Sequence, residues 1–164
     1  ERDLEMQDAV ERGIVGDDEF VAYLNEAKGL SWTVENLIEI WSGTYTINEA
    51  GHGLFRRALT AGVPVYTLSN LAQHHVDAVE RNWPGFFDDA SGLFFSFRMG
   101  VRKPDPEIFR MVLNELNAEG EQCFFLDDYI ENVEAARRAG IHAHHFIPEN
   151  HVAIHEAAVE FFGN

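Results

Sequence analysis

After Tyr45 the chain alternates short apolar, β-rich runs with stretches whose apolar residues recur at helical spacing, and this alternation is its strongest constraint on fold. The runs at 63–68, 93–97, 123–126 and 142–146 read as short strands. Helices are expected at 48–61 and 72–82, and after Pro104, where Ile108, Phe109, Val112, Leu113 and Leu116 share one face. Two more are expected at 132–139, stopped by Gly140, and at 152–162. Strands joined through helices pair in parallel, so the expectation is an α/β fold, a parallel sheet with helices on both faces. Before Tyr45 only helices are expected. Asp17 or Asp18 suits the cap of one carrying Phe20, Val21 and Leu24, and Thr33 the cap of another carrying Leu37, Ile40 and Trp41. The organisation expected is a small helical appendage at 1–45 and an α/β core at 46–164.

Composition narrows the function. A hydrophobic fraction of 46% suffices for one core in 164 residues. The formal net charge of −16 argues against nucleic acid or an anionic membrane as partner. Cys123 is the only cysteine, so no intrachain disulfide can form. No apolar run reaches the roughly 18 residues of a membrane span, and no secretory signal is evident, so cytoplasmic placement is the default.

In parallel sheets ligands bind beyond the carboxyl ends of the strands. Ser69-Asn70 follows one expected strand, Asp127-Asp128 closes another, and Arg102-Lys103-Pro104 precedes a helix. This is a reasonable kit for phosphoryl transfer. Ser69 and nearby backbone N–H groups can hold phosphoryl oxygens, Lys103 can offset their charge, and the acidic pair can hold Mg²⁺, a hard cation that prefers oxygen ligands. The plain reading of each group is a turn pair, a solvated lysine and a helix cap. The order of the three is what favours chemistry. His74 and His75, just after Ser69, could reach the pocket but better fit a solvated helix start, and Arg98 and Arg102 suit either a positive rim or surface ion pairs. The His142/His144 and His151/His155 pairs lack a Cys or Glu at metal-motif spacing.

Leu68-Ser69-Asn70, the run from Arg102 to Phe109, Phe124-Phe125-Leu126-Asp127-Asp128 and the run from Glu131 to Ala136 resemble, in order and spacing, motifs two to four of the haloacid dehalogenase (HAD) superfamily. The stretch from Glu11 to Phe20 looks like that family's helical cap. Sugar-phosphate phosphatases of the α-glucose-1-phosphatase type and the phosphatase domain fused to epoxide hydrolases are most similar. The resemblance implies a Rossmann-like fold and a Mg²⁺-dependent phosphatase acting on a small phosphorylated metabolite. It gives Ser69 the phosphoryl group, helped by Asn70. Lys103 ties that group to the nucleophile, Asp128 ligates Mg²⁺ directly, Asp127 does so directly or through water, and Asn132 braces the metal loop.

One departure is central. Family members open with a strand ending in Asp-x-Asp, whose first Asp is the nucleophile and second the general acid and base. Nothing before Ser69 fits, because Asp3, Asp8, Asp17 and Asp18 lie in helical or turn-rich polar sequence. The absent strand would sit centrally, between those ending at Ser69 and Asp128. Three explanations follow: a fragment of a longer gene product, a strand supplied by another chain or copy, or a non-catalytic relative that binds phosphate or a partner. On each, the chain as given is expected to be inactive. A haloacid dehalogenase is the remaining enzyme reading, disfavoured by the adjacent acidic pair.

Overall fold

The computed structural model describes residues 2–162. The elements in order are α1 (Arg2–Glu11), α2 (Asp17–Lys28), α3 (Val34–Thr44), α4 (Glu49–Thr60), β1 (Tyr66–Ser69), α5 (Gln73–Asn82), β2 (Gly92–Phe95), α6 (Ser96–Met99), α7 (Pro106–Leu116), β3 (Phe124–Asp127), α8 (Ile130–Arg138), β4 (His142–His145) and α9 (His151–Phe162). The α/β alternation is therefore as expected, and every strand pair is parallel. None of these helices is long and apolar enough to cross a membrane.

The pairing differs from one continuous sheet. β1 pairs with β2, β3 pairs with β4, and each ladder has two strands. No ladder among the described residues joins β1 to β3, which is where the resemblance places a central strand. A parallel ladder needs an adjacent strand in register, and the segments ahead of β1 are helical instead. Contacts group the chain into two compact units. One is residues 2–46 with Tyr66–Arg102; the other is Ile47–Val65 with residues 103–162.

In the first unit α3 packs on α5, and α1 on α2 and α6. Thr33 caps α3, with the Asn36 Oδ1 accepting its N–H at 2.9 Å. The cap of α2 is Gly16, not Asp17 or Asp18, because the helix already begins at Asp17; the Asp17 carboxylate meets His74 instead. Gly13 has φ of +68°, and a Cβ there would lie 2.1 Å from the Phe97 carbonyl oxygen. Only glycine fits so close an approach. β2 ends at Phe95, short of the expected Phe97, since Ser96 begins the single turn of α6. β1 begins at Tyr66 rather than Val63, where register with Gly92 starts.

In the second unit the apolar stripe of α7 is as spaced in the sequence, with Ile108, Phe109 and Val112 buried. Asp105 caps it by accepting the Glu107 N–H at 2.9 Å, and Pro106 occupies the first turn, where its missing N–H costs nothing. Val133, Ala135 and Ala136 bury the inner face of α8, which ends before Gly140 at φ of +83°. Leu54, Ile154 and Ala158 form a core cluster against Phe124, Leu126, Phe146 and Phe162.

Candidate active site

Asp127 is the last residue of β3, and the ladder with β4 sets its place: its carbonyl accepts the Phe146 N–H at 2.8 Å. Its carboxylate is buried, with its side chain 4% exposed. Lys103 Nζ donates to Oδ2 at 2.5 Å, while Asn132 Nδ2–H and the Tyr129 N–H donate to Oδ1 at 2.8 and 2.9 Å. Both carboxylate oxygens are thus engaged by donors from a loop, a helix and a turn. Lys103 is itself buried, 7% exposed, with its ammonium 5.3 Å from the Phe125 ring centroid. Burying two charges is favourable only when geometry and extra hydrogen bonds compensate their desolvation, and the two N–H donors supply that here.

Asp128, one residue on, is exposed. Its carbonyl accepts from His145 Nε2 at 2.9 Å, tying it to the end of β4. With Asp127 occupied by Lys103 and two N–H groups, Asp128 is the accessible carboxylate at this strand end. Oxygen donors suit Mg²⁺, which takes one or two carboxylates and fills its shell with water and substrate phosphate. The residues present fit that chemistry. No group of three or more His, Cys, Asp or Glu able to hold a metal occurs among the described residues.

Ser69 and Asn70 lie at the carboxyl end of β1, in the first unit. Past the ladder, Leu71 is held by the fully buried Ser96, whose Oγ accepts the Leu71 N–H at 3.0 Å and donates to the Leu71 carbonyl at 3.1 Å. Ala72 donates its N–H to His75 Nδ1 at 2.8 Å. The structure therefore brings Lys103, Asp127 and Asn132 into one bonded group with Asp128 beside it, and puts Ser69 and Asn70 on a separately braced loop.

The histidines correct the sequence reading. His74 and His75 are not solvated; they are 1% and 6% exposed. His74 Nδ1 lies 2.6 Å from Asp17 Oδ1, and Phe20 stacks on its ring at 6.0 Å between centroids. Trp41 meets the His75 ring edge-on at 4.5 Å. The physical reason is tertiary, since α2 and α3 cover the start of α5. Arg102 pairs with Asp8 and Glu11 at 3.3 and 3.1 Å, and Arg98 sits over the Phe95 and Phe97 rings. The aspartates ahead of Ser69 are all in α1 and α2, with Asp3 bound to Lys28 and Tyr23 and Asp8 to Arg12. Ser96 was missed by sequence reasoning, for a serine inside an apolar run carries no signal of its bond partner 25 residues away.

Burial, and next the neighbouring His74, pushes the His75 pKa down to about 3. The native state thus prefers neutral His75, whose Nδ1 lone pair accepts the Ala72 N–H. Between about pH 6.5 and 3 the unfolded chain binds the extra proton, so stability rises with pH there. His75 contributes fully above about 6.5, and the contribution is lost as pH falls towards 3, by up to about 1.4 kcal/mol per pH unit. In urea melts across this range, His75→Asn should flatten the slope by one proton. An unchanged slope would show that His75 is charged in the native state.

A sequence model described as haloacid dehalogenase-like hydrolase matches residues 5–140. The chain is 33% identical over 91 residues to a sesquiterpene phosphatase of Aspergillus oryzae, covering 54% of this chain and 44% of that protein. It is 26% identical over 151 residues to a D-ribitol-5-phosphate phosphatase of Bacteroides thetaiotaomicron, covering 86% of this chain and 70% of that one. The chain thus spans less than half of the first relative's length. The crystal structure of a HAD family enzyme from Bacteroides thetaiotaomicron, in complex with magnesium and inorganic phosphate, superposes with a TM-score of 0.74 at 25% identity, covering 83% of this chain and 71% of that one.

Proposed function

Because the chain belongs to the haloacid dehalogenase-like hydrolases, we propose that it carries the phosphate- and metal-binding side of a Mg²⁺-dependent phosphatase for a small phosphorylated metabolite. The carrying observation is the buried Lys103–Asp127–Asn132 group with Asp128 exposed beside it. In this reading Asp127 fixes Lys103, Lys103 offsets phosphoryl charge, and Ser69 with Asn70 binds phosphoryl oxygens. Asp128 holds Mg²⁺, which when bound screens phosphoryl charge and polarises the ester. Asn132 keeps Asp127 oriented through a second-sphere bond. The phosphatase names and the magnesium and phosphate of the relatives support this assignment.

The nucleophile is the remaining part. Asp3, Asp8, Asp17 and Asp18 stand in helices rather than at a strand end, so residues 1–164 alone are expected to turn over nothing. That same observation favours a second reading, a non-catalytic module that binds phosphate. The test assays residues 1–164 and the whole product of its gene against a panel of phosphate monoesters, with Mg²⁺ and with EDTA. Turnover by the whole product, abolished by EDTA, is expected. No turnover of any ester would leave the binding module. Ester turnover indifferent to EDTA would remove the Mg²⁺-dependent mechanism.

A further inference from the structure

We propose that Ser96 is a positioning residue for the Ser69–Asn70 loop, holding its backbone in the form that receives a phosphoryl group. The inference rests on the phosphoryl-binding role given above to Ser69. A hydroxyl has one donor and two acceptor sites, and Ser96 spends a donor and an acceptor on the two main-chain groups of a single residue, Leu71. Leu71 lies just beyond β1, where the β1–β2 ladder no longer supplies partners. Ser96 is 0% exposed, at the point where β2 turns into α6, and β2 is the strand that pairs with β1. The register Ser69↔Phe95 brings the residue after Phe95 alongside the residues after Ser69. One strand pair thus aligns both the loop and its brace. On the far side, Ala72 is fixed by His75, so the loop leaves the strand and enters α5 between two side-chain clamps.

The brace acts through geometry. Backbone N–H groups recognise phosphoryl oxygens only when held at about 2.7–3.2 Å with near-linear approach. A loop free to rotate at Leu71 presents Ser69 and Asn70 in many arrangements, and the affinity falls in proportion to the binding-competent fraction. Ser96 itself touches no phosphoryl group in this scheme.

The experiment is two-part NMR on the chain. Amide exchange is read at Leu71, and chemical-shift response to inorganic phosphate is read at the Ser69 and Asn70 amides. Wild type is compared with Ser96→Ala, with Ser96→Cys, which keeps a weak donor and acceptor of similar size, and with Ser42→Ala, which removes a hydroxyl elsewhere in the same unit. Ser96→Ala should speed Leu71 exchange by about tenfold or more, since both main-chain groups of Leu71 lose their side-chain partner, and should weaken the phosphate response by a comparable factor. Ser96→Cys should fall between, and Ser42→Ala should match wild type. If Ser96→Ala does not fold, the Ser96→Cys comparison carries the same test. A phosphate response equal in wild type and both Ser96 variants overturns the positioning role while leaving the phosphoryl site intact. No response in wild type overturns the phosphoryl reading of Ser69, and this inference with it.

Discussion

Asp127→Ala should lower the unfolding free energy by about 3–5 kcal/mol, the range for removing one partner of a buried ion pair. The change takes away the carboxylate 2.5 Å from the Lys103 ammonium and the acceptor of the Tyr129 and Asn132 N–H groups. Against a total stability of roughly 5–15 kcal/mol, that loss is a large share. Asp127→Asn separates the terms. It keeps an oxygen that can accept from Tyr129 and Asn132 but removes the charge facing Lys103, so it should cost less than Ala. Lys103→Met combined with Asp127→Leu should recover part of the loss, because two apolar groups of similar volume avoid desolvating charges altogether. Urea melts followed by tryptophan fluorescence measure all of these. A cost below about 1 kcal/mol for Asp127→Ala, the level of an exposed pair, would show that water reaches the carboxylate.

In whatever form of the protein proves active, Lys103→Met should reduce kcat about 10²–10³-fold, the size of losing one preorganised charge-stabilising donor. Methionine keeps the aliphatic length and the packing against Phe125 while deleting the ammonium. The loss is therefore electrostatic rather than steric. Because Asp127 holds Nζ in place through a buried bond, no reorganisation would be needed as phosphoryl charge develops, so a large effect is expected of a single ammonium. KM should move less than kcat if Lys103 acts mainly on the transition state. Turnover within a factor of two of wild type, in a variant whose urea midpoint shows it folded, would remove Lys103 from the chemistry.

The legibility of this chain divides along the range of the interaction. The apolar face of α7 and its Asp105 cap are local properties, set by spacing along one helix, and the structure repeats them. The strand ends at Ser69 and Asp127 follow from short apolar runs closed by polar residues. Motif order then marked Lys103, Asp127, Asp128 and Asn132. Whether those residues meet is a different kind of fact. Lys103 reaches Asp127 across 24 residues, Ser96 reaches Leu71 across 25, and His74 reaches Asp17 across 57.

The sequence by itself determined the α/β class and the apolar face and cap of α7, because periodicity and capping depend on neighbours within a turn or a strand, while the candidate site residues came from motif order. The face of α3 was misread, for Leu37 and Ile38 are buried and Ile40 is exposed. Tertiary structure alone decided that Asp127 is spoken for by Lys103 and Asn132 while Asp128 stays open. It also decided that two neighbouring histidines are buried rather than solvated, and that Ser96 grips the loop after Ser69. Burial and bond partners belong to the packed chain: a polar group leaves water only where a specific partner from a distant segment is waiting for it.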